Sequence, residues 1–543
     1  AEGWWAFRSD VVREVAYRTL TKSARAQRHA GTAGVMRSSG LTPIDQVAHH
    51  AASAAELVAE IGTVPGVPVD IAGQAVDLLE EAAGRSIDVG AFSQAIRHAG
   101  RALELDPADD AATRRLLLLR ADAFAERREA VRARVDAEHA LEHALESGDV
   151  AHEAIARRVL GIVAQQEGDL ATARSELSRS VELLTEIGDQ RELVSSLSDR
   201  GFVEVFGGSL PEADRMLRKA EELADDLGDR RQLAWIRQHQ AWVAFLSGDT
   251  ALAEERLITA SGLFDDIGDR SGIGWANGLL AYVRFFERRF ADAEELAVSV
   301  RQDAAELGEL WAPAMMDALL ASIRLWSGRF NEAEELSRRA LHGFRELNDR
   351  FGIVQALAPR MRALVALGRN QEAERGLEEA VSLADAFGDL AFPTIAAAGT
   401  AALLGLGERA VSLGEVAVER IEAMHANGAE ARVGLALGHC QVGDPERALT
   451  VLLEVPDDRP YTCAVLAIAH GMLGDRDLAI DYADRVVADE GSTYLDRVLA
   501  DVSAGAAFAA AGDDDRARQR LQQAADTANS AGDAVARALA GCA

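Results

Sequence analysis

The segment Glu138-His139-Ala140-Leu141-Glu142-His143 carries the residues that come closest to a metal site in this sequence. Histidines four positions apart lie on the same face of a helix, and two imidazoles so placed could hold a zinc ion. A zinc site needs a third ligand, however, and neither a nearby ligand nor an HExxH pattern is present. We therefore interpret these side chains as ordinary i,i+4 pairs on an exposed helix. We predict no metal ion.

Other candidate motifs have equally simple interpretations. His49-His50 fits helix packing, and Asp513-Asp514-Asp515 fits the acidic N-terminus of a helix. The only lysines are Lys22 and Lys219, and neither follows the glycine spacing of a Walker-A phosphate loop. No Gly-x-Ser-x-Gly, Cys–His pair or dinucleotide fingerprint appears. We expect no catalytic residue, no cofactor and no enzymatic activity in this region, and no tight ATP binding.

The aromatic residues form the feature with the clearest binding chemistry. They make up only 5% of the chain, yet many fall between residues 202 and 326 at helical spacing. Two interpretations stay open: a buried core stripe, or a groove for a hydrophobic or ring-bearing ligand or a partner helix. The candidate binding residues are Phe202, Phe206, Trp235, Gln238, Trp242, Phe245, Trp275, Tyr282, Phe285 and Trp326.

Two series of glycines indicate the elements that position these side chains. The first glycine series recurs at every fortieth position, with Arg288 at the one position that lacks glycine; its members are Gly168, Gly208, Gly248, Gly328 and Gly368. The second glycine series lies midway between these positions and consists of Gly148, Gly188, Gly228, Gly268, Gly308, Asn348, Gly388 and Gly428. Gly or Asn is favoured in the left-handed turn that ends a helix. The pattern predicts helices at about 149–167, 169–187 and 189–207, and so on along the chain.

An alanine column supports the same repeat. At the fifth position after each member of the first glycine series, and after Arg288, stands an alanine: Ala173, Ala213, Ala253, Ala293, Ala333 and Ala373. A small residue that recurs on a helix marks the close approach of another helix. We therefore expect Ala253 and Ala333 to be buried at helix–helix contacts.

The spacing small–x6–Gly–x4–Ala resembles the tetratricopeptide repeat (TPR) in a 40-residue form. Gly161, Gly168 and Ala173 show it, and the resemblance covers about residues 70–540. It implies an all-α, right-handed superhelical solenoid of antiparallel helix pairs, with the aromatic positions of the first helices facing the concave side. Met361 at a small position and Arg288 at a glycine position depart from the pattern, so distortion is expected at those junctions.

Net charge and cysteine content limit the classes of partner and the cellular compartment that the sequence favours. The chain has 57 Lys and Arg against 88 Asp and Glu, a formal net charge of −31, which disfavours nucleic acid and anionic membranes. Three cysteines form no disulfide framework and suggest a cytoplasmic protein. No apolar run is long enough to span a membrane.

The N-terminal stretch, residues 1–62, does not follow the repeat. Phe7-Arg8-Ser9 and Arg13-Glu14-Val15-Ala16-Tyr17 resemble a segment that closes the ATPase module in large bacterial STAND-type regulatory ATPases with TPR arrays. That resemblance implies an ATPase domain upstream in a longer chain, of the kind fused to class III adenylate or guanylate cyclase or LuxR-type domains. Ser9 stands where the family usually has His.

These observations lead to a domain division and a function. Residues 1–62 are expected to be the remnant of the ATPase-closing segment, 63–110 a linker and first repeat, 111–430 the long-repeat array, and 431–543 shorter repeats. The expected function is a non-enzymatic sensor or interaction module that binds a protein partner or a small hydrophobic ligand on its concave face. The alternative is a plain protein–protein scaffold.

Overall fold

The computed structural model describes residues 9–107, 109–207, 209–387, 392–457 and 459–542. This part of the chain forms α-helices and contains no β-strand. Consecutive helices pack as antiparallel pairs, which confirms the all-α, TPR-like repeat fold. None of the helices in these ranges combines the length and apolarity needed to cross a membrane.

The helices follow one another with short turns. In chain order they are α1 (Asp10–Arg18), α2 (Lys22–Ser39), α3 (Ile44–Ile61), α4 (Ile71–Asp88), α5 (Phe92–Glu104), α6 (Asp110–Glu126), α7 (Ala130–Ser147), α8 (Val150–Glu167), α9 (Leu170–Ile187), α10 (Gln190–Gly207), α11 (Leu210–Leu227), α12 (Arg230–Ser247), α13 (Thr250–Ile267) and α14 (Arg270–Phe286). The second half contains α15 (Phe290–Glu306), α16 (Trp311–Trp326), α17 (Phe330–Glu346), α18 (Arg350–Ala366), α19 (Asn370–Phe387), α20 (Phe392–Leu403), α21 (Gly407–Ala423), α22 (Ala429–Gln441), α23 (Pro445–Leu452), α24 (Pro460–Leu473), α25 (Arg476–Ala488), α26 (Tyr494–Ala510), α27 (Asp514–Ala531) and α28 (Ala534–Cys542).

The chain divides into two compact units. One comprises the described residues up to Val163 together with Thr172–Ser196 and Asp266–Arg270. The other comprises Ala164–Ala171, Leu197–Asp265 and the described residues from Ser271 onward. All the candidate binding residues belong to the second unit.

The turns fall where the glycine series places them. Gly148, Gly228 and Gly268 have φ of 68°, 65° and 75°, and each separates two helices. Glycine adopts this left-handed conformation without the steric cost that a Cβ imposes. The predicted register of helices between residues 149 and 207 is therefore confirmed. Gly208 and Gly388 lie outside the described residues.

The second glycine series does not extend to Gly428. That residue has φ of −89° and begins α22, while His425, with φ of 55°, ends α21. The cause is the short helix α20, which has 12 residues where α19 has 18 and brings the following turn forward to Gly405. The prediction of a left-handed turn at Gly428 was wrong.

The alanine column is buried as expected. Ala253 and Ala333 have no solvent-exposed surface. The neighbouring small position is equally constrained, since a Cβ built on Gly161 would lie 2.6 Å from Leu177 Cγ. Met361 fits at a small position because a glycine stands opposite it on α19. A Cβ built on Gly376 would lie 2.8 Å from Met361 Cγ. The helix pair α18–α19 thus keeps regular bounds despite the larger residue.

The N-terminal helices belong to the same core as the first repeats. Val64 and Val67, in the connection between α3 and α4, are 3% and 8% exposed and pack with α2, α3 and α4. Gln27 Nε2 also donates to Pro65 O at 2.7 Å. The Gly- and Pro-rich connection is therefore a packed part of the first unit.

Candidate functional site

The candidate binding residues lie on the first helix of four successive repeats. Phe202 and Phe206 are on α10, and Trp275, Tyr282 and Phe285 are on α14. The remaining residues lie on the helix between these two and on α16: Trp235, Gln238, Trp242 and Phe245 on α12, and Trp326 on α16. Since each helix pair stacks on the next, the four first helices run side by side.

One face of α12 carries three polar atoms that have no hydrogen-bond partner. Trp235, Gln238 and Trp242 are spaced i, i+3 and i+7, which places them on one side of the helix. Gln238 is only 1% exposed. Within the described part of the chain, Trp235 Nε1, Gln238 Oε1 and Trp242 Nε1 are buried atoms to which nothing bonds. An unpaired buried polar group costs about 1–3 kcal/mol, so three on one face call for an explanation.

A row of tryptophans extends from this face toward α16. The rings of Trp235 and Trp275 have centroids 6.3 Å apart, and Trp275 stacks on Trp311 at 4.6 Å with an interplanar angle of 19°. Trp311 differs from the α12 tryptophans because its Nε1 donates to Asp349 Oδ2 at 2.6 Å. Its indole N–H is therefore used within the fold, in contrast to those of Trp235 and Trp242.

A second aromatic row borders the other end of α12. Phe202 stacks on His239 at 4.3 Å, and Phe206 meets Trp242 edge-on at 5.2 Å. His239 lies 3.0 Å from Ser198 Oγ, and burial lowers its pKa to about 3. The imidazole is therefore neutral at physiological pH, and it adds no charge to the surface.

The exposure of the aromatic side chains distinguishes a binding groove from a buried core stripe. Trp235, Trp242, Trp275 and Tyr282 are each half-buried, and none of them is enclosed completely between helices. Complete burial of all four would have excluded a binding surface, so that condition is not met. Burial raises the pKa of the Tyr282 hydroxyl, which donates to Met315 O at 3.3 Å.

The candidate binding residues differ in accessibility. Phe206 is 7% exposed because its ring packs between Trp242 and Phe351. Trp326 is half-buried and packs against two clusters that Tyr494, far along the same chain, also contacts. We call the three residues that carry unpaired polar atoms, Trp235, Gln238 and Trp242, the α12 face.

Two other predictions concern charged motifs. His139 is exposed, and among the described residues no three histidine, cysteine or carboxylate side chains are placed so that they could hold a metal ion together. Asp513 accepts a hydrogen bond from Arg516 N at 3.2 Å and so caps α27, in agreement with the helix-N-terminus interpretation.

A histidine cluster in the first unit was not anticipated from sequence. His29 Nδ1 lies 2.8 Å from His50 Nδ1, and Tyr17 Oη lies 2.9 Å from His29 Nε2. His49 stands beside them, with Arg101 Nη1 3.2 Å from its Nδ1. The sequence signal was the adjacent pair His49-His50, but nothing in the spacing placed His29 opposite it.

Comparisons with known proteins give only distant structural likenesses. No family model and no curated protein matches the chain. The solved structure of a Rap protein complexed with competence and sporulation factor is 13% identical, with a TM-score of 0.47, and the match covers 68% of this chain and 98% of that one. The Cut9–Hcn1 hetero-tetramer of the APC/C is 14% identical, with a TM-score of 0.46 and coverage of 86% and 90%. The apo quorum sensor NprR from B. thuringiensis is 14% identical, with a TM-score of 0.37 and coverage of 59% and 95%.

Proposed function

We propose that this chain is a non-enzymatic binding module that takes a peptide segment of a protein partner on the α12 face. The observation that supports it is the set of three unpaired atoms, two indole N–H donors and one amide oxygen acceptor, at Trp235, Trp242 and Gln238. All three atoms are buried, so a ligand reaches them only when the half-buried rings of Trp235 and Trp242 move aside. A ligand that then supplies the complementary groups recovers the cost of leaving them unpaired.

A peptide backbone has the matching chemistry. Its carbonyl oxygens accept from indole N–H groups, and its N–H groups donate to Gln238 Oε1. The neighbouring His239 is neutral and Tyr282 is un-ionised, so this surface favours uncharged amides over ions. The half-buried rings of Trp235 and Trp242 supply apolar area for the side chains of the peptide.

A selection experiment tests this function. A displayed library of short, unstructured peptides is selected on the immobilised wild-type chain and counter-selected on Trp242→Ala. We expect enriched peptides that bind the wild type and not the variant. Peptides that bind both equally, or no enrichment over several rounds, would contradict peptide binding at the α12 face. If a neutral aromatic compound raises Tm where no peptide does, the small-ligand alternative replaces it.

We also propose that the module serves a regulatory ATPase, with binding on the α12 face biasing an upstream ATPase domain. The support is the resemblance of the segment that ends at Tyr17, part of which (Phe7 and Arg8) lies outside the described residues. Sequencing the genomic DNA upstream of the Ala1 codon tests it. An in-frame Walker-A loop is expected, and a stop codon immediately upstream would contradict the proposal.

A further inference from the structure

The turns that end the first helices lie against a later part of the same chain, within the second unit. Leu246 O accepts from Asn427 N at 2.7 Å, and Leu210 N donates to Met424 O at 3.3 Å. Further along, a Cβ on Gly328 would lie 3.6 Å from Ala531 O, and one on Gly368 would lie 3.7 Å from Ala534 Cβ. The contacts keep the same order along both stretches. We call residues 424–534 the C-terminal row.

Arg288 is the non-glycine member of the first glycine series, and it anchors this row. Its φ is 61°, a conformation that residues with a side chain rarely adopt. Its Nη1 donates to Gly491 O and to Asp496 Oδ2, both at 2.8 Å. Asp496 is also part of the capping box that begins α26 with Thr493. The expected distortion at Arg288 is absent, since α14 and α15 keep regular bounds on both sides of it.

Arg362 makes a second anchor at α18. Its Nη2 bonds to Asp533 Oδ2 and, at 2.9 Å, to the hydroxyl oxygen of Tyr494. That hydroxyl in turn donates to Asp533 Oδ2 at 2.7 Å, and Asp533 Oδ1 caps α28 by accepting from Val535 N at 2.8 Å. Both arginines therefore hold a carboxylate that starts a helix of the C-terminal row.

The Arg362 contact is a buried ion pair. The Arg362 and Asp533 side chains are 6% and 0% exposed, and buried ion pairs give specificity of geometry more than net stability. Arg362 Nε and Nη1 have no partner among the described residues, which makes the buried arrangement less favourable still. Side chains of the row also pack against the half-buried ring of Trp326, next to the contact of Phe330 with Tyr494 at 5.8 Å.

We propose that Arg288 and Arg362 form a latch that holds the C-terminal row on the first-helix turns, and that its opening exposes more of the half-buried Trp326 ring. The latch exposes surface only when both carboxylates, Asp496 and Asp533, leave their arginines. The proposal rests on the proposed function only for what binds the exposed surface; the latch itself does not depend on it.

Arg288→Gly in the full chain tests the first anchor. Glycine suits the left-handed turn, so the variant keeps the turn and removes only the side chain that bonds to α26. Asn348→Gly is the matched control, because Asn348 has φ of 52° at a turn that makes none of these contacts. We expect hydrogen exchange of the amides at 493–500 to become at least tenfold faster in Arg288→Gly and to stay unchanged in the control. Unchanged exchange in both variants would overturn the latch.

Asp533→Asn tests the second anchor and stands in if Arg288→Gly fails to fold. Asparagine keeps the cap of α28 and the size of the side chain but removes the charge that faces Arg362. We expect at least tenfold faster exchange at 534–540, and increased acrylamide quenching of tryptophan fluorescence only in the Arg288→Gly/Asp533→Asn double variant. An equal acceleration of amide hydrogen exchange in α12 and α14 would show general destabilisation and overturn the proposal. Continued binding of a selected peptide by both variants would leave the proposed function intact whatever the latch does.

Discussion

Arg288 Nη1 lies 2.8 Å from Asp496 Oδ2, although 208 residues separate the two side chains. The contact joins a turn of the long-repeat region to the start of α26, whose Asp496 side chain is only 3% exposed. Arg288, the one non-glycine member of the first glycine series, therefore makes a side-chain contact that glycine could not make. A break in the repeat pattern marks a tertiary contact here.

The alanine column gives the simplest test of the packing. Ala253→Leu or Ala333→Leu should lower the free energy of unfolding by about 1–3 kcal/mol, because three added carbons have no space at a fully buried contact. Ala251→Leu is the matched control on the same helix, since Ala251 is exposed. Urea midpoints measure the effect. Equal midpoints for Ala253→Leu and the control would show that the column is not a contact.

Met361 and Gly376 should be energetically coupled. Alanine normally favours a helix over glycine by about 1 kcal/mol, but the Cβ of Gly376→Ala would lie 2.8 Å from Met361 Cγ. We expect Gly376→Ala to destabilise the wild type and to stabilise the Met361→Ala variant. A double-mutant cycle from urea unfolding measures the coupling. Additive effects of the two substitutions would contradict the interlocking of these side chains.

The histidine cluster predicts a loss of stability in mild acid. Burial, followed by the proximity of His50, His49 and Arg101, lowers the pKa of His29 to about 4. The pKa in the unfolded chain is about 6.5, so the unfolded state takes up the proton first as the pH falls. The contribution of neutral His29 is complete above about pH 6.5 and is lost progressively toward pH 4.

Circular dichroism during urea unfolding at pH 7.5 and pH 5 measures this effect. His29→Gln removes the titrating group, so its midpoint should change less between the two pH values than that of the wild type. His139→Gln is the control, because His139 is exposed and lies outside the cluster. An identical pH response in wild type and His29→Gln would contradict the role of His29.

The local architecture could be predicted from sequence because one backbone requirement repeats. Left-handed turns favour glycine or asparagine, although Arg288 and His425 also adopt one, so Gly148 and Gly228 indicated the helix bounds between them. The same rule failed at Gly428, where the short helix α20 shifts the register by a few residues. The spacing of the repeats alone did not indicate that shift.

The candidate site was predictable only in part, for a related reason. Helical spacing placed Trp235, Gln238 and Trp242 on one face, and the structure places them there. It did not indicate that residues much later in the chain pack against Trp326, because that contact depends on how the repeats stack. His29 and His50 likewise meet through the packing of α2 on α3, which no local pattern encodes.

Titration of one selected peptide against three forms of the chain tests the central claim most directly. The forms are the wild type, Gln238→Ala, and Gln232→Ala as a control in the first turn of the same helix, outside the three residues of the α12 face. Isothermal calorimetry should give at least a tenfold higher Kd for Gln238→Ala, about 1.4 kcal/mol, because the buried acceptor is lost. Gln232→Ala should bind as the wild type does. Equal Kd values for all three forms would contradict the α12 face as the binding site.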